Sequence, residues 1–186
     1  MPRCKNIDHD LKIIFLHPNR CGGKSIEKIL FKRNPIIGSA DHNLPEQFIK
    51  KFGIDIWNNY FKFGFSRNPW NRVASLYFYR QNNLEWFPFK NLTDYLENGH
   101  YEFPLDFITQ TRYFFYKNKK IDFVGKVENY TKDFFKLTKQ LKIIKELPQL
   151  NQSKKRLTYQ DLFDNKTKKL VEEKFFDDIY NFGYKF

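Results

Sequence analysis

The segment His17-Pro18-Asn19-Arg20-Cys21-Gly22-Gly23-Lys24-Ser25 brings two glycines, two cations and a hydroxyl into one short stretch. Glycine lets the main chain approach a ligand closely and take positive φ. If a helix starts at Lys24, its unpaired N–H groups and its dipole favour an anion at that point. Arg20 and Lys24 add full charges, and Ser25 adds a hydroxyl donor. A phosphate suits this set. The plainer reading is a strand-to-helix turn with basic residues nearby.

A second stretch, Phe63-Gly64-Phe65-Ser66-Arg67-Asn68-Pro69-Trp70-Asn71-Arg72-Val73-Ala74-Ser75-Leu76-Tyr77, has the pattern of a strand, an Asn-Pro turn and a helix. Arg67 then stands at the carboxyl end of a strand, where open α/β sheets bind their ligands. Ser75 lies about one helical turn beyond Arg72. Arg67 can pair with a second phosphate by charge and Ser75 by hydrogen bond. An Arg capping a loop and a small Ser allowing close packing are the alternative.

These residues need elements to hold them. Lys12 to His17 (KIIFLH) reads as a buried strand stopped by Pro18, and Phe61 to Ser66 (FKFGFS) as a second. Helices are expected over Lys24 to Lys32, Leu44 to Lys51, Asn71 to Arg80, and Leu92 to Glu97, the last closed by Gly99. Tyr113 to Tyr116 and Ile121 to Val124 look extended. Lys132 to Leu141 and Lys166 to Phe182 read as long amphipathic helices, the second ended by Gly183. Gln149 to Thr158 is irregular and basic, as a surface loop would be. Strands alternating with helices predict an α/β fold, with a central, mainly parallel sheet flanked by helices. No repeat or composition break divides the chain, so one domain over residues 1–186 is expected.

Bulk composition narrows the partners. The chain of 186 residues carries a net charge of +12, which favours polyanions such as nucleotide phosphates, nucleic acid, acidic membrane or sulfated sugar. Its 22 Phe and 11 Tyr argue against disorder. Cys4 and Cys21 are the only cysteines, which implies no disulfide framework. The apolar run from Leu11 to Leu16 is too short for a signal-peptide core or a membrane span, so the cytoplasm is the expected location.

Taken together, the two motifs resemble those of sulfotransferases that use 3′-phosphoadenosine-5′-phosphosulfate (PAPS), especially the carbohydrate type with its Pro-Lys-Thr-Gly-Gly-Thr-Ser loop. Phe15 to Glu27 resembles the family's 5′-phosphosulfate loop, and Arg67 to Tyr77 its 3′-phosphate motif, in which an Arg and a Ser eight residues later hold the phosphate. Asp122-Phe123-Val124-Gly125-Lys126-Val127-Glu128-Asn129, Leu147-Pro148-Gln149-Leu150-Asn151-Gln152-Ser153 and Asp177 to Tyr184 resemble further family segments in the expected order. The resemblance implies a nucleotide-binding fold of the P-loop-containing sulfotransferase type. It implies PAPS as donor, no metal, and a hydroxyl acceptor on a carbohydrate or glycolipid. It assigns the donor to Arg20, Cys21, Gly22, Gly23, Lys24, Ser25, Arg67, Ser75, Ser153, Lys154 and Lys155. The loop departs from the pattern: Asn19 stands for the family's Pro, Arg20 for its Lys, Cys21 for its first Thr and Lys24 for its second. Either Arg20 or Lys24 can therefore assist the leaving phosphate.

Sulfuryl transfer needs positioning and charge stabilisation, and a base for the acceptor hydroxyl. The four histidines are His9, His17, His42 and His100. His42, between the loop helix and the Arg67 strand, is the first candidate for that base, His17 the second and Glu27 a third, expected to be solvated. Gln110 and Arg112 match a family stretch near the acceptor. Two other functions compete. A P-loop kinase would use Gly-x4-Gly-Lys-Ser, yet Pro18 occupies the place of the first glycine, and no strand ends in a magnesium-binding Asp. A basic nucleic-acid binder would need its aromatics exposed, whereas Phe61, Phe63 and Phe65 fall at core spacing.

Overall fold

Ile13, Ile14, Phe15 and Leu16 are all buried, so this strand has no solvent face. Such a run belongs in the middle of a parallel sheet covered on both sides. The computed structural model describes residues 6–31, 42–143 and 158–186. In it β1 (Ile7–Asp8), β2 (Ile13–Leu16), β3 (Phe61–Ser66) and β6 (Phe123–Lys126) form one sheet in the order β1-β2-β3-β6. β1 is antiparallel to β2, whereas β2, β3 and β6 run parallel, with Phe15 beside Phe63 and Phe65 beside Gly125. The fold is α/β with a mainly parallel central sheet, as the alternation of strands and helices predicts. A hairpin of β4 (Phe115–Tyr116) and β5 (Lys119–Lys120) is separate from it.

The described residues fall into two compact units. The first comprises residues 6–31, 42–66 and 112–143. It holds the sheet, α1 (Gly23–Leu30), α2 (Pro45–Phe52), α3 (Ile54–Asn59) and α7 (Tyr130–Gln140). Period-two alternation sends Phe63 and Phe65 to one face of β3, where they pack with Ile26 and Leu30 of α1 and Phe134 and Leu137 of α7. Gly64 points the other way and lies against the Phe114 ring, so both faces are covered. The second unit comprises residues 67–111 and 158–186. It is helical, with α4 (Pro69–Asn83), α5 (Leu92–Glu102), α8 (Asn165–Lys174) and α9 (Phe176–Phe182). Trp70, Val73 and Tyr77 of α4, Tyr95 and Leu96 of α5, and Val171 of α8, together with Phe175, form its core. Buried Asp106 accepts from Arg80 Nε and Nη2 at 2.9 and 3.0 Å and from the Tyr95 hydroxyl at 3.0 Å. Burial, followed by the neighbouring Asp106, raises the Tyr95 hydroxyl well above its ordinary range, so it stays a donor.

Several boundaries differ from the sequence pattern. α5 runs through Gly99 instead of ending there. A side chain at Gly99 would meet the Tyr95 and Phe107 rings at 2.9 and 3.0 Å, so this glycine serves close packing. Tyr113 and Phe114 close a helical turn, α6 (Gln110–Phe114), and only Phe115–Tyr116 is extended. The strand expected from Ile121 starts at Phe123. The long carboxyl-terminal helix is two helices, because Phe175 leaves helical geometry at φ −120°, ψ 28° to bury its ring, and Gly183 ends the second. α3 had no sequence signal of its own: its six residues bury only Trp57.

Candidate active site

The loop after β2 is shaped by two left-handed residues, Arg20 at φ 65° and Gly22 at φ 76°, ψ 10°. Left-handed residues in such a turn aim successive N–H groups inward, a geometry that binds anions. Gly22 is the N-cap of α1 and has no side chain to satisfy the first-turn N–H groups. No acidic residue stands in that first turn. Arg20 and Lys24 are exposed beside it, and Ser25 is half-buried. Cys21 is fully buried, its thiol on the Asn19 carbonyl at 3.6 Å, so its side chain faces the core.

Tyr130, the first residue of α7, holds this loop from below. Its hydroxyl donates to the Gly22 carbonyl at 2.5 Å, and a side chain on Gly22 would meet its ring at 3.0 Å. Burial, the dominant cause, pushes this hydroxyl well above the ordinary tyrosine range, so it remains a donor at any working pH.

Both histidine candidates lie at the same loop. The His17 ring is stacked on Phe15 at 5.2 Å and sits directly over Gly23, where an added Cβ would fall 1.9 Å from it. His42 lies with its ring centroid 4.8 Å from that of His17, and its Nδ1 bonds the His17 main-chain oxygen at 2.6 Å. A carbonyl can only accept, so His42 Nδ1 carries a proton, and in the neutral ring the lone pair is then on Nε2. That is the tautomer of a base. Glu27, expected to be solvated, is 5% exposed, and its Oε1 faces His17 Nδ1 at 3.6 Å.

The second unit places Arg67 at its first residue. The Gln110 side chain receives the Arg67 N–H at 2.7 Å and donates to the Arg67 carbonyl at 2.8 Å, as a neighbouring strand would. Gln110 is fully buried and is itself anchored to Asp178, so it is scaffold and not an acceptor contact. Asn68 caps α4, with its side chain accepting from Trp70 and Asn71 N–H. The Arg67 guanidinium donates through Nη2 to Asn71 Oδ1 at 2.9 Å. Asn71 and Ser75 are four residues apart on α4 and share a helix face, so Arg67 lies along the face that carries Ser75. Arg72 points elsewhere, buried with Nη1 on the Ile108 carbonyl at 3.0 Å and its guanidinium 5.7 Å from the Phe175 ring centre. Ser153, Lys154 and Lys155 lie outside the described residues.

A glycine loop between a parallel strand and a helix, with a buried-scaffold Arg after the next strand, can be compared with known proteins. The model of the Sulfotransferase family matches residues 6–185. The chain belongs to the sulfotransferase family. Its match runs through both units, and the α/β architecture with a mainly parallel sheet is that of a sulfotransferase. Sulfuryl transfer is thus its general chemistry, and a hydroxyl-bearing acceptor follows from it. The comparison with curated proteins found no match, and that with solved structures found none. Among the described residues no helix is long and apolar enough to cross a membrane, and no group of three His, Cys, Asp or Glu is placed to hold a metal ion.

Sequence reasoning passed over Tyr130, Asn71 and Asp178. Asn71 was detectable, since it stands four residues from both Arg67 and Ser75. The holding roles of Tyr130 and Asp178 had no signal, because what they hold is far away in sequence.

Proposed function

We propose that this sulfotransferase moves the sulfuryl group of PAPS to a hydroxyl of a carbohydrate or glycolipid, acting as one domain over residues 1–186. The observation that carries the proposal is left-handed Gly22 heading an acid-free helix start, flanked by exposed Arg20 and Lys24. These residues fit a phosphate-bearing donor, because the bare glycines leave main-chain N–H groups open to an anion. When bound, the donor supplies an activated sulfuryl group and a phosphate leaving group. In this reading Gly22, Gly23, Lys24, Ser25 and the Arg20 side chain hold the 5′ side, with Cys21 shaping the loop from beneath. Arg67 and Ser75 hold the 3′-phosphate, and Ser153, Lys154 and Lys155 are assigned to it by the family resemblance.

The chain's own residues then have distinct tasks. His42 Nε2 takes the proton from the acceptor hydroxyl. Arg20 and Lys24 stabilise the charge growing on the leaving side. His17 keeps His42 in place through its main-chain oxygen. Nucleic acid has no part in this reading. The cytoplasm is the compartment it assumes.

Calorimetric titration with adenosine-3′,5′-bisphosphate, beside ATP with magnesium, tests the proposal on wild type and Arg67→Ala. Micromolar bisphosphate binding, weakened about 10- to 100-fold in the variant, is expected, since a hydrogen bond to a charged group contributes about 1.5–3 kcal/mol. Binding of ATP with magnesium and none of the bisphosphate would put a kinase in its place.

A further inference from the structure

Glu27 has no task in the mechanism above, yet its placement is costly. Glu27 and His17 are each 5% exposed. Glu27 Oε1 and His17 Nδ1 are both buried without a hydrogen-bond partner among the described residues, and they face each other at 3.6 Å. Two orphaned polar atoms that close together are rarely left apart in a folded protein, because each would forfeit its solvation for nothing.

The geometry of α1 explains how they meet. Gly23 and Glu27 are four residues apart and share one helix face. The absence of a side chain at Gly23 lets the His17 ring approach that face edge-on, its Cε1–Nε2 side against Gly23. Nδ1 is then turned down the helix toward Glu27. A carboxylate can only accept, so the proton of this pair belongs on His17 Nδ1.

We propose that Glu27 is a positioning residue for this site. It holds His17 with Nδ1 protonated and its ring pressed on Gly23, and through the His17 main-chain oxygen it fixes His42 in its base-forming tautomer. The ring placement follows from the geometry alone; its catalytic consequence rests on the sulfotransferase reading.

Long-range proton–nitrogen NMR spectra of the full chain, with 15N-labelled imidazoles, test this at neutral pH. His17 is assigned by elimination with His9→Gln, His42→Gln and His100→Gln. In wild type the His17 Nδ1 should be protonated. In Glu27→Gln, which keeps the size of the side chain, the Nδ1-protonated form should fall to a minority and the His42 signals should shift. A wild-type His17 in the neutral Nε2–H tautomer would overturn the proposal without recourse to any variant at this pair. A His17 spectrum unchanged in Glu27→Gln would overturn it equally. Bisphosphate titration of the same samples keeps the two readings apart. Wild type that fails to bind counts against the PAPS reading, while the tautomer result decides the role of Glu27.

Discussion

The two motif regions reach similar ends by opposite means. The loop around Gly22 and Gly23 is made of main chain: left-handed dihedrals, absent side chains and a helix start do the work, and Tyr130 steadies the Gly22 carbonyl. The turn at Arg67 is made of side chains: Gln110 pairs with its main chain, Asn68 caps the helix behind it, and Asp178 anchors Gln110. In the first region the main-chain shape is the feature to protect, since an added Cβ at Gly23 would fall 1.9 Å from the His17 ring. In the second, shape is supplied from a distance, and half-buried Arg67 contributes its charge.

Three changes can break or sharpen this contrast. The largest effect is expected at Asp178, 0% exposed, whose oxygens accept from Gln110 N–H and Nε2 and from Thr111 N–H and hydroxyl. Asp178→Ala strands these buried donors and should cost about 3 kcal/mol or more in urea unfolding. If stability barely changes, the side-chain scaffold of the Arg67 turn is not what holds it. Next comes Gly23→Ala, whose methyl would fall 1.9 Å from the His17 ring. Overpacking there should cost roughly 1–3 kcal/mol and abolish measurable bisphosphate binding, because the ring must leave. Retained affinity would show that the loop tolerates a changed shape. The smallest effect is expected from Tyr130→Phe, which removes the donor to the Gly22 carbonyl and keeps the ring. A loss of about 1 kcal/mol is expected, read as a several-fold weaker bisphosphate affinity. An affinity equal to wild type would leave the loop geometry to glycine alone.

Much of the fold was legible in the chain. Ile13 to Leu16 is a short apolar run and Phe61 to Ser66 alternates Phe with other residues, each with a sharp stop, and local pattern is enough to mark such strands. The Gly-Gly-Lys-Ser and Arg-Asn-Pro-Trp motifs could be read because their chemistry is contiguous. Gly99 and Phe175 misled, for the same reason in reverse: one glycine and one aromatic looked like a helix end and a helix interior, and packing partners decided otherwise.

By itself, then, the sequence determined the α/β class, the glycine loop between the first buried strand and the helix after it, and the position of Arg67 just ahead of the helix that carries Ser75. These depend on residue type and on spacings of a few residues, which helix and strand periodicity convert directly into faces. Tertiary structure alone decided that His42 reaches the His17 carbonyl, that Glu27 is buried under His17, that Tyr130 grips Gly22 and that Asp178 carries Gln110. Each joins residues that no local periodicity relates, or depends on which face of a helix is covered. Burial and hydrogen-bond partnership are properties of what packs around a residue, and the sequence near that residue does not contain them.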